Sequence, residues 1–241
     1  AIAVTFGIAV VIGIPVLKLK GHYLAMATLG FGVIIYRIVL GTPAFGEADG
    51  ITNIPQFHLL PGLAVSGDFD TRIENYYIAW ILVIIGMILL VNLIHSRTGR
   101  ALRGIHGSEE AAAAMGVNVS SYKLRIFILS ALFASIAGVF LTHYNSGIGP
   151  SESGVMKSVR YVAIVAVGGM ANVWGTLIMG TLLNFLSLRG VFGSYDDAVF
   201  GLILILIMVF APNGVLNREM LSVLWESIRS FFLKEPIGEK Q

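Results

Sequence analysis

Two groups of residues have types and spacings that point to work beyond packing. The first is Ser108, Glu109 and Glu110, followed by four alanines at 111–114 and then Gly116. A serine before two acids and a run of strong helix formers marks a helix start, with a side-chain cap and carboxylates in the first turn. A glycine just past the alanines suits its C-terminal stop. The product is a short helix whose Ala111 and Ala112 leave the backbone open to another protein's groove. Glu110 at its start can meet a basic side chain of that partner. The alternative is a solvated surface helix with ordinary capping. The second group is glycine-rich: Thr28, Gly30 and Gly32 in one apolar run, and Gly168, Gly169, Asn172 and Gly175 in another. Glycine and asparagine favour a turn, so the 168–175 group reads as a hinge or a gate between two short helices. Around Thr28 the glycines permit close helix packing, or a break beside a transported molecule.

Neither group makes or breaks bonds, and no other motif would. Cysteine is absent, and His22, His58, His95, His106 and His143 are scattered, so no metal-ligand set is formed. A Gly-Lys pair is missing, and with it the loop that cradles nucleotide phosphates. A Gly-x-Ser-x-Gly nucleophile elbow is also missing. The expectation is a chain that is not an enzyme and binds no cofactor or metal of its own.

The elements that position these groups follow from composition. The 241 residues are 56% hydrophobic and 12% charged, where soluble domains carry about 25% charged residues. Residues 1–17, 76–95, 126–144, 161–188 and 198–217 hold no charge, and 21–42 holds only Arg37. A span needs about 20 mostly apolar residues, so the expected fold is all-α: a polytopic transmembrane bundle. The long window 161–188 divides at the glycines into helices at about 158–171 and 175–189, giving about seven spanning or near-spanning helices. Intramembrane carboxylates, the usual mark of ion-driven carriers, are absent from every window. Polar residues such as Ser130, Ser135, Thr142, His143 and Asn184 are expected to bond neighbouring helices.

Charge sets orientation. Segment 96–125 has Arg97, Arg100, Arg103, Lys123 and Arg125 against Glu109 and Glu110, while 43–75 has only Arg72 against Glu47, Asp49, Asp68, Asp70 and Glu74. The positive-inside rule puts 96–125 in the cytoplasm and 43–75 outside. The expected organisation is a transmembrane domain over 1–217, with a cytoplasmic loop at 96–122, and an amphipathic cytoplasmic tail over 218–241. The apolar start at Ala1 reads as a chain beginning partway into a longer protein.

The Glu110-Ala111-Ala112-x-x-x-Gly116 segment resembles the coupling loop of ABC importer permeases. With its flanks over 97–144, and with 21-GHYLAMATLGFG-32, 164-IVAVGGMANVWGTLIMG-180 and 211-APNGV-215, it resembles the branched-chain amino acid permease family on its LivM-like side. The resemblance runs from about 18 to 216. Where that family is often acidic at the second position of the first block, this chain has His22. The resemblance implies a permease subunit in a bacterial inner membrane. It also implies a second related permease, two cytoplasmic ATPase subunits holding ATP and magnesium, and a periplasmic substrate-binding protein. Membrane lipid is the surrounding partner, and no nucleic acid is involved. A permease for urea or another small solute, and a self-sufficient channel or secondary carrier, are the competing expectations.

Overall fold

The computed structural model describes residues 1–19, 22–60, 63–169, 172–190 and 193–210. The tail expected over 218–241 lies outside them. Nine helices are found among the described residues: α1 Ile2–Val16, α2 His22–Gly41, α3 Arg72–His95, α4 Arg97–Gly107, α5 Glu109–Ala114, α6 Val119–Tyr144, α7 Val155–Gly168, α8 Val173–Leu188 and α9 Asp196–Phe210. The chain divides into two compact units, 1–154 and 155–241.

The long helices are apolar around their whole circumference and bury almost none of it. Within the chain, 0% of the apolar stretch of α2 is buried, 6% of that of α3 and 0% of that of α6. A helix that is hydrophobic all round without burial belongs in lipid. α2, α3 and α6 are long and apolar enough to cross a membrane, which makes this a multi-pass membrane protein. Two further apolar helices are shorter, α1 with 15 residues and α8 with 16; α7 has 14 residues and α9 has 15. At 1.5 Å per residue they extend about 21–24 Å, less than the ~30 Å hydrocarbon core. The long window 161–188 does divide as expected, into α7 and α8.

In the first unit α1 lies along α6, and Thr5 Oγ1 donates to Ser135 Oγ across them at 3.2 Å. Of the intramembrane polar residues, Ser135 does bridge two helices. Ser130, Thr142 and Asn184 instead bond back to carbonyls of their own helices, because an isolated polar group in a span finds its own backbone nearest. The long acidic segment before α3 is folded, not a bare loop. β1 (Ile51–Thr52) pairs antiparallel with β4 (Gly147–Ile148), just beyond α6. β2 (Phe57–Leu60) and β3 (Leu63–Val65) form a hairpin. His143 at the end of α6 bonds the Pro55 carbonyl at 2.9 Å and stacks on Phe57. Asn75 Nδ2 donates to Ser66 O at 2.7 Å, tying the hairpin to the first turn of α3.

In the second unit α7 and α8 form an antiparallel hairpin, and α9 packs on α7. Ala163, Ile164, Val167, Leu183 and Phe200 make the core. α7 starts at Val155, earlier than expected, so Lys157 as well as Arg160 lies within the helix.

Candidate functional site

The short helix read from the sequence exists and is built as its residues require. Ser108 is its N-cap, and its Oγ accepts from Ala111 N at 3.2 Å. At the other end Gly116 sits at φ +85°. Gly116 N donates to Ala113 O and Val117 N to Ala112 O, both at 3.0 Å. This pair of bonds is the Schellman stop. α5 therefore has both ends satisfied without help from a neighbour.

Only one side of α5 is used internally. Ala112 is 6% exposed, and Glu109 forms an ion pair with Lys123 of α6. Glu110, Ala111, Ala113 and Ala114 are exposed. Met115, at the C-cap, is 85% exposed. A thioether standing in water at the tip of a small-residue helix is an adaptable contact, and the sequence reading passed over it. Beside α5 lies a cleft of about 340 Å³. Leu17, Lys18, Glu110, Ala113, Ser120 and Lys123 line it, so it offers both charge signs around an apolar floor.

α4 was not foreseen as a helix. Ser96 caps it by accepting from Gly99 N. Gly99 is needed there: a Cβ would fall 2.2 Å from Ile94 O and 2.5 Å from Leu93 O. Arg103 Nη2 donates to Ile94 O at 3.0 Å, and Arg100 Nη1 to His95 O at 3.2 Å. Cations on the last carbonyls of α3 are favoured by that helix's dipole. α3, α4 and α5 are thus joined end to end by short corners, each capped by a serine.

The second group separates into two outcomes. Gly168 and Gly175 meet: a Cβ on Gly168 would lie 2.4 Å from Thr176 Cα, and one on Gly175 would lie 2.1 Å from Gly168 O. Asn172 Oδ1 caps α8 by accepting from Gly175 N at 3.1 Å, and Gly169 has φ +94°. These four residues form a tight corner between α7 and α8. Among the described residues, nothing is brought to Thr28, Gly30 or Gly32. Thr28 Oγ1 bonds back to Ala25 O at 2.9 Å, and no atom lies within 4 Å of a Cβ on Gly30 or Gly32. The helix surface is open at both glycines.

Arg160 is a residue that sequence reasoning missed. Its guanidinium lies 4.3 Å over the Phe200 ring and donates to Ser187 Oγ, joining α7, α8 and α9. The signal was present, since an arginine one residue before an apolar window is within reach of the helix that fills it. Among the described residues no group of His, Cys, Asp or Glu could hold a metal ion.

Residues 1–208 match the family described as the permease component of the branched-chain amino acid transport system. The high-affinity branched-chain amino acid transport permease LivM of Salmonella typhimurium is 30% identical over 85% of this chain and 53% of its own length. LivH of Escherichia coli is 30% identical over 58% of this chain and 47% of its own. The ribose import permease RbsC of Escherichia coli is 31% identical over 56% and 44%. The chain spans about half the length of the curated relatives it matches. No solved structure matches it. With a match that covers most of its length, the chain belongs to the branched-chain amino acid transport system permease family.

Proposed function

We propose that this chain is a membrane-spanning permease subunit of an ABC importer that carries branched-chain aliphatic amino acids across a bacterial inner membrane. The observation that carries this reading is α5, held to the spans by one side and offering Glu110, Ala113, Ala114 and Met115 on the other. A channel has no need of such a helix. Its partners in this reading are a second permease, two ATPase subunits that hold ATP and magnesium, and a periplasmic binding protein that delivers substrate.

The geometry supports a simple mechanical route. Closure of the ATPases presses on the exposed side of α5. The Glu109–Lys123 pair passes that displacement to α6, and α1 follows through Thr5–Ser135. On the other side the α4 corner passes it to α3 through Arg100 and Arg103. Rocking of these spans turns the pathway from outside to inside, and no bond of the substrate changes. Gly168, Gly169, Asn172 and Gly175 serve as the fixed corner of the α7–α8 hairpin.

A second reading, transport of a different small solute, draws on the likeness to the ribose permease. The test is the assembled complex in vesicles, with ATP hydrolysis and uptake measured for leucine, ribose and urea. Leucine-stimulated hydrolysis with ATP-dependent uptake is the expected result. Stimulation by ribose or urea alone moves the substrate, and accumulation without ATP removes the importer reading altogether.

A further inference from the structure

The arginines of α4 do more than cap α3. Arg97, Arg100 and Arg103 recur every third residue, and residues three apart are neighbours on a helix surface. All three are exposed. Ile105, in the same helix, is 7% exposed, and Gly99 is buried against the end of α3. α4 is therefore amphipathic, with a basic strip on one side.

The depth of that strip is set by the chain. α3 has 24 residues and is long enough to cross. Arg103 and Arg100 bond the carbonyls of Ile94 and His95, in its last turn. The guanidinium groups therefore stand at the level where a span leaves the hydrocarbon, which is the level of lipid headgroups. A basic amphipathic helix at that depth lies in the interface plane.

The strip also lacks internal neutralisation. Glu109 is taken by Lys123. The Arg97 side chain has no hydrogen bond or ion pair among the described residues, and each guanidinium carries five N–H donors in a planar fork. That fork matches two oxygens of one phosphate.

We infer that Arg97, Arg100 and Arg103 form a binding strip for the phosphate of an anionic phospholipid headgroup at the end of α3. A lipid fits better than an acidic protein surface because the strip's depth is fixed by a membrane span. The inference rests on membrane placement, and not on the transport reading.

The experiment uses the full chain, purified alone and exchanged into mixed micelles of equimolar phosphatidylcholine and phosphatidylglycerol. The ratio of the two lipids that co-purify with the protein is then measured. Wild type retains phosphatidylglycerol in excess. Each neutralised arginine lowers that excess about fivefold, so Arg97→Gln reduces it and Arg97→Gln with Arg100→Gln nearly removes it. The Arg97 side chain has no internal bonds to lose, so the first variant leaves the fold intact. Arg97→Lys keeps most of the excess, while Arg72→Gln at the opposite end of α3 leaves it unchanged. Three results would overturn the proposal. One is an unchanged lipid ratio in both glutamine variants. Another is an equal fall in the Arg72 control. The third is a retained ratio combined with lost binding of the partner ATPase, which would make the strip a protein contact.

Discussion

Glu109, the first residue of α5, is ion-paired with Lys123 on α6. The side chains are 38% and 19% exposed, so water screens the pair and it contributes at most about 1 kcal/mol to stability. Its larger role is to fasten a short helix to a span. Lys123→Ala is expected to leave the protein folded while lowering the substrate carried per ATP hydrolysed. The exchange variant Glu109→Lys with Lys123→Glu should recover coupling. Uptake and hydrolysis measured in the same vesicles decide it; a single variant with unchanged stoichiometry would remove this linkage.

The stop of α5 makes a prediction of different character. No atom lies within 4 Å of a Cβ on Gly116, so substitution there meets no obstacle. The cost is conformational, because φ is +85° and a left-handed residue with a side chain costs roughly 1–2 kcal/mol. Asparagine tolerates that region best. Uptake in the assembled complex should therefore fall in the order Gly116, Gly116→Asn, Gly116→Ala, Gly116→Val. An order that follows side-chain size, with asparagine below alanine, would mean that a partner surface decides the position.

The two glycine groups should behave oppositely. Gly168→Ala and Gly175→Ala place a methyl against backbone that cannot retreat, and overpacking of that kind costs about 1–3 kcal/mol or more. A lower unfolding temperature in detergent is expected for both. Gly30→Ala meets open space and should unfold as wild type does. If the open surface at Gly30 receives the second permease, Gly30→Leu folds normally but fails to assemble with it. Normal assembly of Gly30→Leu would place lipid on that surface.

What could be read without coordinates was local. The cap at Ser108, the stop at Gly116 and the Gly168–Gly175 corner each depend on a few adjacent residues, and each was legible. α4 was not, because three arginines and three glycines in eleven residues look like a loop until α3's carbonyls supply the arginines with acceptors. Arg160 fell inside the expected helix, but its role was not legible, because its partners lie on two other helices. Its helix extends to Val155, and a guanidinium held by Ser187 and Phe200 is compatible with a position inside it. The roles of Thr28, Gly30 and Gly32 were illegible because their neighbours are not in this chain's described residues.

The orientation of the first unit rests on charge balance alone and calls for a direct test. Acidic residues dominate 43–75 and basic ones 96–125, so the first should face outside and the second the cytoplasm. The sequence contains no cysteine, which makes single-cysteine labelling clean. Ser66, in the middle of the acidic segment, is a poor reporter because it is 2% exposed and its Oγ bonds Asp68 and Thr71. Ala48 is exposed in the same segment, and Met115 is 85% exposed at the tip of α5. A membrane-impermeant maleimide applied to cells whose outer membrane has been opened should label Ala48→Cys and leave Met115→Cys unlabelled. Breaking the inner membrane should then expose Met115→Cys. The reverse pattern would turn the unit over, move α5 away from any cytoplasmic ATPase and end its coupling role. Equal labelling of both sites before the inner membrane is broken would mean that 72–95 does not cross.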